Sequence, residues 1–171
     1  MALETDIAVL AGAPLFSLLD RQPLRLLAFA AETRLVHDGG VLFRKADRSD
    51  GGYVVMDGAI ALDAGDGSPD FVAEPGAVIG RTALFIRTVR PATATARGRA
   101  AVLRISPALM RRVLEEFPSA AAALHEAMAA EVLSLTSGLE RVRERFLALD
   151  AIEAAVSPDE PFPIGNALAH G

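Results

Sequence analysis

The stretch IGRTALFIRTVRPATATA, Ile79 to Ala96, decides how this chain is read. A glycine leads into the short apolar turn TALF, and an arginine then opens a strand rich in Ala and Thr. Arg81, Arg87 and Arg90 all fall within it, in a chain whose formal net charge is −5. A short helical turn after Gly80 leaves its first N–H groups without carbonyl partners, and such an end attracts an anion through those donors and the helix dipole. A guanidinium from a neighbouring strand can close a charge-assisted contact on the same anion.

Outward from this stretch the pattern is β. From about Arg34 to Ile105, short runs such as VLF, YVVM, AIAL, FVA and AVLRI are separated by Gly, Asp and Pro. Asp57-Gly58, between YVVM and AIAL, reads as a tight hairpin turn, and DAGDGSPD as a looser one. Short strands at near-regular spacing suggest a jelly-roll-like sandwich or barrel. Before them, from about Leu3 to Ala31, the chain is helical with breaks at Pro14 and Pro23, and LRLLAFAAE after Pro23 forms a short helix.

After the strands the pattern turns helical again. Ser106-Pro107 is an N-cap and first-turn pair opening SPALMRRVLEEF, and Pro118-Ser119 starts a longer helix. Ala121, Met128, Leu135, Val142 and Leu149 recur at heptad spacing, with His125, Val132, Leu139 and Phe146 as the second series. Only His125 interrupts the apolar seam, and Gly138 is a weak point within it. A helix stabilised by its own β domain would also carry an apolar stripe, but one this long would overhang a small domain. The expectation is a homodimer through the helix around Ser119–Leu149. The Pro- and Gly-rich tail is expected to be disordered. The domain limits follow: 1–33 an N-terminal helical segment, 34–105 the β-roll, 106–150 the C-terminal helices, 151–171 the tail.

Composition narrows the function. The 171 residues suit one domain, and 51% hydrophobic residues supply its core. Cysteine is absent, which excludes disulfides and cysteine-held metal and fits a cytoplasmic protein. No leader pattern and no membrane-spanning run are visible. The acidic balance and the lack of Trp argue against nucleic-acid binding. Three histidines, His37, His125 and His170, without HxH spacing make a metal enzyme of the cupin kind a poor fit. No nucleophile motif or Walker loop is present, so the chain is read as a non-enzyme without a cofactor or metal.

The order of parts resembles the cyclic nucleotide-binding domain family from about Pro14 to Asp150. APLFSLLDRQPLRLLA looks like the family's opening helices. DGGVLFRKADRSDGGYVVMDGAIAL looks like its paired β segment, with Gly39, Phe43, Asp47, Tyr53 and Gly58 at the family's positions. EPGAVIGRTALFIRTVRPATATA looks like its phosphate-binding cassette, and VLRISPALMRRVLEEFP like its exit strand and following helix. The resemblance implies an α+β fold: an antiparallel β-roll flanked by short N-terminal helices and two C-terminal helices, the last one long and dimerising.

It also implies a site. The spacing from Gly80 to Arg90 equals the family's spacing from cassette glycine to phosphate-binding arginine, so Arg90 is the expected phosphate ligand, with the turn Gly80, Arg81, Thr82, Ala83 and Leu84. Arg87 is read as an exposed loop charge. In SLTSG, Thr136 matches a base-contacting hydroxyl as well as it matches an ordinary exposed helix residue. Two positions depart from the family. Arg81 stands where a glutamate usually accepts from the ribose hydroxyl, and a guanidinium cannot accept. Losing such a bond costs about 1.5–3 kcal/mol, about ten- to a hundred-fold in affinity. Pro91 follows the arginine and offers no N–H; Thr93, further along, is the hydroxyl expected to compensate.

Two functions stay open. One is a regulatory module that binds a cyclic nucleotide such as cAMP or cGMP, or a related phosphorylated ligand, and signals through its C-terminal helices to an unidentified protein partner. The other is a ligand-free fold, with Arg81 filling the pocket against an acidic neighbour, that serves as a dimerisation module. The residues after Asp150 are too few for a DNA-reading domain, so direct DNA binding is not expected.

Overall fold

The computed structural model describes residues 2–135. The first helices are α1 (Leu3–Gly12) and α2 (Arg21–Ala30), joined through a 3-10 turn at Phe16–Leu18. Six strands follow: β1 (Glu32–Val36), β2 (Val41–Phe43), β3 (Gly52–Asp63), β4 (Phe71–Ala73), β5 (Val78–Ile79) and β6 (Thr93–Ile105). A second 3-10 turn, Thr82–Leu84, lies between β5 and β6, and α3 (Pro107–Glu116) leaves β6. A fourth helix, α4, runs over 118–135 within the described residues. Thr136, the seam positions from Leu139 to Leu149 and the tail 151–171 lie outside them.

All pairings are antiparallel, in the order β1-β6-β3-β4, with β2 also on β6 and β5 also on β3. The expected β-roll with flanking helices is what the chain forms. VLF and FVA are β2 and β4, and the DAGDGSPD segment links β3 to β4 as an antiparallel pair.

The hairpin expected at Asp57-Gly58 does not exist. YVVM and AIAL belong to one strand, β3, which stays on β6 along its length and slips register between Val55 and Ala59. Gly58 has φ +74, and a Cβ there would come within 2.3 Å of the Arg99 carbonyl oxygen. The glycine therefore serves a bulge against β6 rather than a chain reversal. The β structure also begins earlier than expected, at Glu32.

Alternation along β3 and β6 sorts the core into two layers. Val54, Met56, Leu103 and Ile105 face the helices, packing with Leu10, Phe16, Leu27 and Met110. Tyr53, Val55, Ala100 and Val102 face the interior of the roll with Phe43, Ile60 and Ile79. Because both faces of Tyr53–Met56 are covered, the run reads as continuously apolar. The Ser106 hydroxyl accepts from the Leu109 N–H at 3.1 Å, with Pro107 in the first turn, as the sequence indicates. Ala120 and Leu124 of α4 enter the helix-side core. The first heptad positions point elsewhere: His125 is exposed and Ala121 half-buried. Further along, Met128, Val132 and Leu135 are exposed.

Candidate functional site

The turn after β5 and the chain entering β6 face each other across a cavity of about 310 Å³. Gly80, Arg81, Thr82 and Ala83 line one side; Thr88, Val89, Arg90 and Pro91 line the other. Six of the nine expected site residues thus meet here. Leu84 lies buried under the turn, at the edge of a second, smaller cavity with Phe85 and Met110. Thr93 is also apart from the lining: its hydroxyl accepts from the Lys45 N–H at 3.0 Å, because β6 turns it toward that loop. Thr136 is outside the described residues.

The turn uses its own donors. The N–H of Ala83 reaches the Gly80 carbonyl at 2.9 Å, Leu84 that of Arg81 at 3.2 Å, and Phe85 that of Thr82 at 3.1 Å. This tight 3-10 bonding already satisfies the N–H groups of Ala83, Leu84 and Phe85. Gly80 sits at φ +71, where a side chain is strained, and a Cβ there would stand 2.7 Å from the Arg90 Nη1. The glycine lets the turn lie directly against the arginine.

Arg90 is the centre of the arrangement. It is 2% exposed, so it is not a solvated strand-end arginine. Its Nη2 donates to the Asp50 Oδ1 at 3.0 Å and to the Gly51 carbonyl at 2.7 Å. The guanidinium carbon lies 4.1 Å from the Phe43 ring centroid and 5.3 Å from that of Tyr53, a cation–π setting. Its Nε is buried with no hydrogen-bond partner. Backbone pairing fixes its place: the Arg90 N–H reaches the Asp47 carbonyl at 2.8 Å, and the Ser49 N–H the Thr88 carbonyl at 2.8 Å. The Ser49 hydroxyl accepts from the Thr88 N–H at 2.8 Å. Arg87 is exposed, as expected.

Behind Arg90 stands Asp50. It takes hydrogen bonds from Tyr53 Oη at 2.9 Å and Arg34 Nη2 at 3.2 Å, and Arg104 Nη1 approaches to 3.8 Å. Burial acts to raise the Asp50 carboxyl. The Tyr53 hydroxyl and the Arg34 and Arg104 charges outweigh it and hold the group below the usual carboxylate range. Tyr53 is pushed up to about 12 by burial and by its bond to Asp50. Glu32, bridged by Arg34 and Arg104, is also lowered by those hydrogen bonds. Sequence reasoning missed Asp50, Thr88 and Val89 as neighbours of the site. Among the described residues, no group of three His, Asp or Glu side chains is placed to hold a metal ion, and no helix is long and apolar enough to cross a membrane.

An antiparallel roll with a glycine turn set against a buried arginine defines a class that the comparisons identify. The family model for the cyclic nucleotide-binding domain matches residues 33–117. The cyclic nucleotide-binding-like protein of Brucella abortus is 37% identical, with 64% of this chain and 97% of that one covered and a TM-score of 0.58. The chain belongs to the cyclic nucleotide-binding domain family. The N-terminal domain of a transcriptional regulator from Streptomyces coelicolor A3(2) is 29% identical, with 77% and 94% covered and a TM-score of 0.70. The regulatory domain of Toxoplasma gondii PKA, crystallised with cAMP, shares the fold at 23% identity, with 65% and 44% covered and a TM-score of 0.56. Among curated proteins none matches the chain.

Proposed function

We propose that this protein is a regulatory binding module of the cytoplasm that takes a cyclic nucleotide, such as cAMP or cGMP, or a related phosphorylated ligand. Arg90 holds the phosphate, and the Gly80–Leu84 turn closes on it. One observation carries this: a guanidinium buried to 2% exposure lines the cavity with its Nε unpartnered. A buried donor left unpaired costs about 1–3 kcal/mol, which an anionic acceptor would recover. Binding shifts the turn, and Leu84 beneath it packs in the same core as Met110 and Val113 of α3. The signal passes to the C-terminal helices through that contact and alters a homodimer formed by the exposed seam of α4.

Calorimetric titration with cAMP and cGMP tests the reading, with Arg90→Gln alongside and its fold checked by thermal unfolding. Micromolar binding that disappears in a folded Arg90→Gln supports it; an unchanged affinity removes Arg90 from the site. A second reading, a ligand-free dimerisation module, is favoured by Asp50 and Gly51, which already engage one Nη of Arg90, and by Pro91, which brings no donor to the lining. It would show as a folded dimer giving no heat with any phosphorylated ligand.

A further inference from the structure

Beside the cavity two short segments run together as an antiparallel ribbon. The Ser49 N–H reaches the Thr88 carbonyl and the Arg90 N–H the Asp47 carbonyl, both at 2.8 Å, and the Ala46 N–H reaches the Arg90 carbonyl at 2.9 Å. Arg48 and Val89 stand opposite each other in it. Arg90 and Ser49 are buried. Their neighbours in the ribbon are left outside: Arg48 and Arg87 are exposed, and Ile86 and Val89 keep 59% and 57% of their surface in water. Arg44 and Lys45 extend the exposed cations, with Asp47 the one acid in the 44–48 segment. That carboxylate accepts from the Arg44 N–H at 2.9 Å, and the Lys45 Nζ donates to the Ala64 carbonyl at 2.6 Å. Arg48 and Arg87 take part in none of the ion pairs formed among the described residues. A cationic strip with two aliphatic side chains set into it thus stands on a chain of net charge −5.

We infer that the outer side of this ribbon docks an acidic segment of a partner protein, one that carries aliphatic side chains among its carboxylates. Charge complementarity argues for it. The planar guanidiniums of Arg48 and Arg87 take carboxylates in fork geometry, and their positive field steers an acidic partner in. Ile86 and Val89 give that partner's aliphatic groups a surface on which to leave water. Arginine beside exposed apolar surface is also the composition that interfaces favour. A nucleic acid would need a basic face over more of the molecule and rings on which its bases stack, and the strip holds no ring. A membrane surface would need a larger basic cluster with a broad apolar face beneath it. Neither Arg48, Arg87 nor Ile86 lines the cavity, so the inference does not depend on the reading of Arg90 as a phosphate ligand. The ribbon still holds Arg90 by its backbone, which puts the docking surface on the segment that carries the site.

The test uses the full chain and a short, blocked, fluorescent peptide of alternating glutamate and leucine, read by anisotropy at low and physiological salt. The expected result is binding that weakens as salt rises and exceeds that of an all-glutamate peptide and of an alternating glutamine and leucine peptide. Arg48→Glu together with Arg87→Glu should weaken it about tenfold or more. Ile86→Ser should weaken it as well, and Arg25→Glu, at an exposed cation of α2, should leave it unchanged. Thermal unfolding shows that the variants are folded. A wild type that ignores the peptide at low salt overturns the inference, and so does binding that the double reversal leaves intact. Anionic vesicles or an RNA oligomer bound through Arg48 and Arg87, or self-association through them, in a chain that ignores the peptide would give the strip another occupant and overturn it too. Titration of the double reversal with cAMP reads the cavity separately, so failure of one reading leaves the other standing.

Discussion

Asp50 is where the site meets its scaffold. It is the carboxylate paired with the buried Arg90 guanidinium, while its own side chain stays 45% exposed. Asp50→Asn would leave Arg90 with the Gly51 carbonyl and two rings but no counter-charge. Removing one partner of a fully buried pair costs about 3–5 kcal/mol. Solvent at Asp50 screens this pair, so the expected loss is about 1–2 kcal/mol by denaturant titration. The pH dependence has a definite sign. A carboxyl lowered in the fold contributes stability that is present above its ordinary value of 3.8 and is lost as pH falls through the lower folded value. The wild type should therefore lose stability below about pH 4, and Asp50→Asn should show a shallower loss over that interval. A variant with the wild-type acid slope would remove Asp50 from this role.

Single elements show what a local pattern can and cannot reveal. Ser106 caps α3 as its Ser-Pro pair suggests, and Ser106→Ala should lower stability by about 0.5–2 kcal/mol in thermal or denaturant unfolding. An unchanged midpoint would mean the Leu109 N–H finds another acceptor. Caps and proline breaks are legible because their physics is local. Asp57-Gly58 was misread for a related reason: Asp-Gly suits a hairpin turn, but a left-handed glycine also suits a bulge, and only the partner strand decides between them. β5, two residues long, is too short to show any period. The turn and Arg90 were legible because they lie in one contiguous stretch. Asp50 was not, being 40 residues from Arg90 and brought there by the pairing of the 46–49 segment with 88–90. Thr88 and Val89 reach the lining through that same pairing, which leaves no mark on local composition.

At the scale of the whole molecule, α4 presents an apolar seam. Ala120 and Leu124 anchor the helix in the core, while Met128, Val132 and Leu135 leave apolar surface exposed in the single chain. A second copy laid along the seam would bury it. Val132→Glu together with Leu135→Glu places like charges at the join and should convert a dimer into a monomer in sedimentation velocity, with the β-roll still folded by circular dichroism. A wild type that sediments as a monomer at high concentration would refute the pairing.

β6 has a consequence for how the protein is made. Among the described residues both β1 and β2 pair only with it, and Glu32 waits for a partner 72 positions later in the chain. On the ribosome, neither early strand has a neighbour until residues 93–105 have left the exit tunnel. The apolar run Tyr53–Met56 can meet β5 and the first helices before then, but it lacks its β6 neighbour over that interval. Pairings this distant fold in milliseconds to seconds rather than microseconds. Because β6 also carries the chain on from Arg90, the cavity between the turn and Arg90 takes shape in the same late event that closes the roll.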